Sequence, residues 1–342
     1  MATTIRDIAD RAGISVAAVS LALNGKTGVG DDTRRRVLQI AADLGYRRAP
    51  PSTTKQQQKR GTIRFLKVSQ HGHTVNRDHN VFIADYIDGL TEVALLTNFN
   101  LEIRPSDGED IHELVTSLHD SSIAGAVVLG TELTSEQIAR FEQVRIPIVF
   151  LDTYLPYLPF DFVDMDNSDA VHMVVSEFLV HGHREMGLVT SPVAVENFRL
   201  RDQGFYKACS ALGIPRDSIS EIEVDSTYEG ALFDMERQLS SLASVPPALF
   251  CVNDMIAYGT IEALRRNGLR VPGDVSVIGF DNLPQSERLT PPLSTVEVRK
   301  HSMGTMAMQL LTERIEGGGI PTRKVVIGSE LIRRASVADR RH

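Results

Sequence analysis

Basic side chains are concentrated at one end of the chain. Residues 1–60 hold 11 Lys/Arg against 5 Asp/Glu, a charge of +6, and the rest of the 342 residues carries −14 behind a net charge of −8. A compact cationic segment on an acidic body directs a polyanionic partner to that segment alone. Histidines are gathered as well: His71, His73 and His79 lie with Asp78 in SQHGHTVNRDHN. These residue types can ligate zinc, but a zinc site also needs fixed geometry. Polar contacts in a cleft and a solvated loop are the other readings, and no metal is expected. No Gly-rich dinucleotide fingerprint follows the first strand pattern, and there is no P-loop and no Gly-x-Ser-x-Gly elbow. The sequence therefore reads as a non-enzyme, with no cofactor expected.

Composition sets the frame for these residues. Hydrophobic residues make up 42% and charged residues 23%, ordinary values for a folded globular protein. No apolar run approaches the roughly 20 residues that span a bilayer. The opening residues MATTIRDIAD lack an apolar signal region, so a cytoplasmic location and no membrane partner are expected. Cys209 and Cys251 both sit in apolar segments and read as buried free thiols, which suit that compartment.

The elements that position the basic residues are short helices. Thr4 with Asp7 fits a capping box ahead of an apolar stripe at Ile5, Ile8, Ala9 and Ala12. Gly13 permits a sharp turn, and Ser15 caps a second helix whose inward face is Val19, Ala22 and Leu23. Asn24-Gly25 closes it. A third helix begins near Asp31 or Asp32, buries Val37, Ile40, Ala41 and Leu44, and ends at Gly45. Two short helices separated by a tight turn and braced by a third make a helix-turn-helix.

TIRDIADRAGISVAAVSLALNG, followed by VGDDTRRRVLQIAADLGY, resembles the DNA-binding domain of the LacI/GalR repressors without a gap over residues 3–46. The resemblance implies double-stranded operator DNA as partner, with Val16, Ala17, Ser20 and Leu21 facing the bases. It places Ser15, Asn24, Thr33 and Arg34 on phosphates. Helical geometry agrees in part, since Ala17, Ser20, Leu21 and Asn24 point away from Val19 and Leu23. None of the reading positions offers a bidentate Arg, Gln or Asn; apolar groups can contact thymine methyls, and Ser20 can bond either base type. Leu21 also reads as an ordinary packing residue.

RRAPPSTTKQQQKRG has no large apolar residue between Ala49 and Gly61, which is a linker composition. In the resembling family this stretch forms a hinge helix that wedges a leucine into the minor groove, and here the wedge position falls on Lys55. A lysine does not unstack bases as an apolar wedge does, although it can enter a narrow, electronegative minor groove. Ser52 can cap a short helix over 53–58; a solvated tether is the alternative.

From Thr62 the pattern becomes short apolar strands alternating with amphipathic helices: TIRFLKV, NLEIRP, GAVVLG, PIVFLD, MGLVTS, ALFCVN and VSVIGF are the strands. This alternation implies parallel sheets covered on both faces, and its length implies two doubly wound lobes with ligand in the cleft between them. Family landmarks run in order through this region: VFIADYIDG, FVDMDNSDA, VHGHREMGLV, RLRDQGF, VNDMIAYG, LRVPGDVSVIGFDN, TPPLSTVEV and ELIRRAS. The implied fold class is a small all-α head plus an α/β core of two parallel-sheet lobes, periplasmic-binding-protein-like. The expected divisions are a head at 1–47, a linker at 48–60 and a core at 61–342. Within the core the N-lobe is expected at 61–161 and 291–323, and the C-lobe at 162–290 and 324–342.

Residue-by-residue matching to the family implies Arg201, Asn253 and Asp281 from the C-lobe as effector contacts, with Phe82 and Asp152 from the N-lobe. The set suits a polyol: a forked donor, carboxylate acceptors, an amide and an apolar face. Each also has a plainer reading. Asp152 and Asp281 follow apolar strands and can cap turns, Arg201 can pair with Asp202 or Glu196, and Asn253 can cap the helix from Asp254. His181 and His183 sit in the family's Gly-His turn and read as structural.

Together these readings describe a homodimeric transcriptional regulator, in the manner of a repressor. A small-molecule effector, of sugar or sugar-derivative class, controls its operator affinity. A protein co-regulator or a non-sugar metabolite is the alternative. A glycosidase leaves the basic head unexplained, and a periplasmic transport receptor has no use for one.

Overall fold

A computed structural model of the chain describes residues 4–23, 29–44, 46, 59–70, 80–242, 244–317 and 319–341, apart from the side chain of Ala17. The chain divides into two compact units, Met1–Gln58 and Lys59–His342. The first holds α1 (Ile5–Ala12), α2 (Val16–Leu23) and α3 (Asp31–Asp43). Thr4 and Asp7 form the reciprocal capping box that the sequence suggests, and Gly13 closes α1 with φ of +65°. The Ser15 hydroxyl accepts from the Ala18 amide at 3.2 Å. Ile8, Ala9, Ala12, Val19, Ala22, Val37 and Ala41 are buried together, with Ile40 and Leu44 packed against them. Arg36 donates to the Ala12 carbonyl at 2.7 Å, fastening α3 to an otherwise open carbonyl at the end of α1. Asn24-Gly25, Gly45 and the suggested helix over 53–58 lie outside the described residues.

Among the described residues, the second unit holds two sheets of six strands. The N-lobe sheet is built from β1 (Thr62–Ser69), β2 (Asn100–Asp107), β3 (Ile123–Leu129), β4 (Ile148–Leu151), β5 (Asp161–Met165) and β11 (Lys324–Ile327), with α4 (Asn80–Thr97), α5 (Ile111–Ser117) and α6 (Ser135–Ala139) among its connections. The C-lobe sheet is built from β6 (Met186–Thr190), β7 (Ile219–Glu223), β8 (Ala248–Cys251), β9 (Ser276–Asp281), β10 (Ser294–Glu297) and β12 (Glu330–Ile332), with α7 (Asn167–Val180), α8 (Glu196–Ala211), α9 (Tyr228–Ser241) and α10 (Asp254–Arg266). A last long helix, α11 (Lys300–Glu316), packs on α4 and on β3, β4 and β5. Strand orders are β11-β5-β4-β3-β1-β2 and β12-β10-β9-β8-β6-β7. Every pairing is parallel except β10 with β12. Each order reverses beside its first strand, and such switch points open crevices at the carboxyl ends of the neighbouring strands.

The expected lobe divisions need correction. β5 pairs with β4 and β11, so residues 162–165 stay with the N-lobe, and so does β11. β10 pairs with β9 and β12, so residues 294–297 belong to the C-lobe. The chain therefore crosses between lobes just after β5, just after β10 and just after β11. A crossing has to follow the carboxyl end of a completed strand, whereas the expected divisions fell at the turns that precede each strand. The strand pattern read from the sequence omits β5, β7, β10 and β11: β7 and β11 are only partly buried edge strands, and polar residues such as Asp161, Asp164, Ser294 and Thr295 interrupt the apolar character of β5 and β10.

The contact of α4 with α11 is unusually close. A Cβ on Gly304 would strike the Tyr86 carbonyl oxygen, and one on Gly89 would strike the His301 carbonyl oxygen. Both obstacles are backbone, so neither can move aside cheaply. Gly304→Ala should therefore destabilise the protein by about 1–3 kcal/mol through overpacking, even though alanine gains about 1 kcal/mol in helix propensity. Urea denaturation of the two proteins measures the difference; equal or greater stability of the variant would show that the helices can separate freely.

Candidate functional site

In the first unit, α2 presents one face inward and another outward. Val19 and Ala22 are buried, Val16 is 48% exposed, and Ser15 is exposed while Ser20 and Leu21 are half-buried. Thr33 and Arg34, in the first turn of α3, are half-buried, and Arg34 lies 3.9 Å from Asp31. Ala17 is placed within α2. Asn24 and Lys55 lie outside the described residues, as do His71, His73, His79 and Asp78. Among the described residues, no group of three or more His, Cys, Asp or Glu is arranged to hold a metal.

In the second unit, a cleft of about 520 Å³ of empty space, part of it open to solvent, lies between the lobes. Phe82, Asp152, Arg201, Asn253 and Asp281 all line it, so the five residues singled out in the sequence meet at one place. Topology explains the meeting. Asp152 follows β4, Asn253 follows β8 and Asp281 ends β9, all at carboxyl ends of strands, while Phe82 and Arg201 come from α4 and α8. Among the described residues, Ile83, Leu129, Thr131, Val195, Asn197 and Phe198 line it as well; none of them is marked out in the sequence.

Arg201 is 3% exposed. Its Nε donates to Asn167 Oδ1 at 3.0 Å and its Nη1 to the Val252 carbonyl at 2.6 Å. Its guanidinium lies 3.7 Å from the centroid of the Phe280 ring, a cation–π contact, and 3.9 Å from the Asp281 carboxylate. The pairing with Asp202 or Glu196 does not form. Glu196 pairs with Arg199, and Asp202 accepts from the Thr190 hydroxyl at 3.0 Å.

Asp152 and Asp281 differ sharply. Asp152 accepts from Tyr86 Oη at 3.1 Å, from Asn197 Nδ2 at 3.1 Å and from the Thr131 hydroxyl. Asn197 Nδ2 also reaches Asp164 at 3.2 Å, and Asn167 Nδ2 donates to Asn197 Oδ1 at 2.9 Å. This network links the first lobe to the second at the cleft wall. Burial and the neighbouring Asp152 charge hold the Asp164 carboxyl well above the usual carboxylate range. Among the described residues Asp281 has no such donors around its carboxylate; burial pushes it up to about 7, partly opposed by Arg201 and Lys300. Asn253 does cap α10, accepting from the Ile256 amide at 2.7 Å through Oδ1. Among the described residues its buried Nδ2 has no partner, so capping α10 leaves that donor available in the cleft.

Asp254, the first residue of α10, fixes these groups in place. It is fully buried, and accepts from the Leu283 amide at 2.8 Å, Ser286 Oγ at 2.6 Å and Thr295 Oγ1 at 2.6 Å. Gly279 leaves room for that carboxylate against β9. Elsewhere, His183 is buried, with Nε2 3.0 Å from Ser276 Oγ and 3.2 Å from the Ala338 carbonyl, a structural setting. Burial pushes the Cys209 and Cys251 thiols up to about 11 and about 12, so both stay protonated at neutral pH.

A helix-turn-helix unit followed by a two-lobed unit with a polar cleft between its sheets defines a class: DNA-binding transcriptional regulators controlled by a small molecule, not enzymes. Residues 4–49 match the model for bacterial regulatory proteins of the lacI family, and residues 175–337 match that for a periplasmic binding protein-like domain. The HTH-type transcriptional repressor PurR of Aliivibrio salmonicida is 28% identical over 338 residues, covering 98% of each chain. The lac repressor dimer bound to operator and the anti-inducer ONPF superposes with a TM-score of 0.71 at 22% identity, over 99% of this chain and 100% of that one. A LacI family regulator from Enterococcus faecalis with bound ribose gives 0.68 at 26% identity, over 81% of this chain and 99% of that one. Residues 4–49 therefore carry a lacI-family DNA-binding domain, and the chain is similar along nearly its whole length to transcriptional repressors of that kind.

The raised pKa of Asp281 makes a pH-dependent prediction. Its folded value of about 7 lies above the ordinary 3.8, so ionising it favours unfolding, and its contribution to stability is lost as pH rises from about 4 through about 7. Asp281→Asn cannot ionise and should gain on the wild type by about 1 kcal/mol or more at pH 8, with the gain fading toward pH 4. Arg201 keeps its bonds to Asn167 and Val252 in the variant. Thermal denaturation at both pH values measures this, and a pH-independent difference between the proteins would mean that Asp281 titrates normally.

Proposed function

We propose that the chain is a cytoplasmic repressor that binds a two-fold operator as a homodimer, and that a sugar or sugar derivative held in the interlobe cleft alters its operator affinity. The observation that carries the effector reading is the division of labour in the cleft. Open polar capacity is gathered in the C-lobe at Asp281, Asn253 Nδ2 and Arg201, while the N-lobe supplies Phe82, Ile83 and Leu129. A pyranose or furanose ring has this two-sided character: hydroxyls at its edge and an apolar C–H face. Asp152 contributes as an anchor between the lobes, since three protein donors already occupy its oxygens. A buried interlobe cleft favours a small molecule over a protein co-regulator.

On the DNA side, Val16, Ala17, Ser20 and Leu21 are proposed to face the bases, Ser15, Asn24, Thr33 and Arg34 the phosphates, and Lys55 the minor groove. Paired heads match half-sites about one helical turn apart, which a homodimer supplies. Leu95 and Leu96, 69% and 78% exposed near the end of α4, and Ile103 on edge strand β2 offer apolar surface for the second copy.

Two measurements test the proposal. Calorimetry against D-ribose, D-glucose, cellobiose, adenosine and cytidine should yield at least one ligand; with it, Arg201→Ala should abolish the change in operator affinity and leave effector-free operator binding intact. A retained response in that variant would remove Arg201 from the site. For the DNA face, replacing thymine by uracil one position at a time should weaken operator binding wherever Val16, Ala17 or Leu21 meets a methyl. Equal binding by every substituted operator would contradict methyl readout.

A further inference from the structure

The turn that follows β9 is held against its own backbone preference. Asp281 has φ of +116° and Asn282 has φ of +49°; the left-handed region is tolerated by Asn, but the Asp281 conformation is disfavoured for a non-glycine residue unless surrounding contacts over-determine it. Here they do. Asp254 accepts from the Leu283 amide at 2.8 Å, Thr295 Oγ1 accepts from the Asn282 amide at 3.3 Å, and Arg334 Nη2 donates to Asn282 Oδ1 at 2.8 Å. All three contacts come from within the C-lobe.

A fourth contact comes from the other lobe. Lys300 Nζ donates to the Asp281 carbonyl oxygen at 2.8 Å. Lys300 is the first residue of α11, whose body packs on α4 and the N-lobe sheet, so this bond spans the crossing that follows β10. Its ammonium also lies 5.1 Å from the centroid of the Phe82 ring. One buried cation therefore touches the aromatic that lines the cleft from one lobe and the backbone of the carboxylate that lines it from the other. A plainer reading makes Lys300 the i,i+3 ion-pair partner of Glu297. That separation is 3.5 Å, longer than the bond to Asp281, and an exposed pair would not require a side chain that is 7% exposed.

We propose that Lys300 is the positioning residue that couples the cleft to the lobe angle. It bolts the strained Asp281 turn to α11, so that a ligand recruiting the Asp281 carboxylate changes the relative stability of two interlobe arrangements. The coupling rests on the effector reading above, and its size is bounded by the ligand's differential affinity for the two arrangements.

The test uses the full chain with Lys300→Met, which keeps the length of the side chain and loses the donor, and Lys300→Arg, which keeps a donor. D-ribose serves as probe, or whichever sugar of the panel above the wild type binds. Wild type should show a ligand-dependent change in operator affinity within the usual range of about 5–150-fold. In Lys300→Met that change should shrink to under about twofold, while sugar affinity and sugar-free operator affinity move far less; Lys300→Arg should recover part of it. A Lys300→Met protein that binds sugar and responds as the wild type does would overturn the proposal. Hydrogen exchange without any sugar gives a second readout: the Asn282 and Leu283 amides should exchange about tenfold faster or more in Lys300→Met. Unchanged protection there would overturn the proposal too, even if no sugar in the panel binds, which is the separate outcome that defeats the sugar reading. If Lys300→Met fails to fold, Lys300→Leu takes its place in both measurements.

Discussion

Taking the Arg201 guanidinium out of water costs several kcal/mol unless its donors find acceptors, and the C-lobe side of the cleft is arranged around meeting that cost. The start of α7 supplies Asn167, the residue after β8 supplies the Val252 carbonyl, and β9 supplies the Phe280 ring. The nearest carboxylate, that of Asp281, stays 3.9 Å away. A direct bidentate pair would satisfy both ions and leave a ligand little to gain from either. At 3.9 Å the two groups moderate one another without being consumed, so a hydroxyl can donate to one and accept from the other. Burial without full satisfaction is what leaves polar capacity on this side of the cleft.

Asp152 shows the opposite solution with the same residue type in the same topological position. Both carboxylates follow strands at the cleft, and both have positive φ, +63° for Asp152 and +116° for Asp281. Asp152, however, meets Tyr86 of α4, Thr131 after β3 and Asn197 of α8. Those three donors turn it into a strut between the lobes. Placement in the cleft therefore does not decide whether a polar group is available to a ligand; the donors brought to it from elsewhere decide.

That distinction also marks what was legible in the sequence. The capping box at Thr4 and Asp7, the turn at Gly13 and the strand periods between Thr62 and Phe280 are local signals, and the structure repeats them. Phe82, Asp152, Arg201, Asn253 and Asp281 were found by matching a family pattern, and they meet in one cleft. The occupancy of Asp152 was not legible, because its donors are separated from it by up to 66 residues of chain. Lys300 was not legible either: a lysine beginning a helix reads as a solvated charge, and only tertiary packing buries it. The lobe crossings were displaced by a few residues because the signal for a turn precedes the strand that must be completed before the chain can cross.

The crossings and the helix packing set how motion in the cleft can travel. α4 and α11 touch through Gly89 and Gly304 with backbone against backbone, so they have little freedom to slide and must move as one body. Phe82 rides on α4 and Lys300 begins α11, so the apolar wall of the cleft and the cation at its edge keep a fixed relation. Across the boundary, the Asp281 turn is cross-linked to α10, β10 and the residues after β12 through Asp254, Thr295 and Arg334. Two stiff bodies thus meet at the Lys300–Asp281 bond and at the Asp152–Asn197 strut. Close-packed bodies joined at a few polar contacts favour discrete arrangements over continuous bending. A ligand that recruits the Asp281 carboxylate, as proposed, would then act on a choice between packings rather than on a continuous bend.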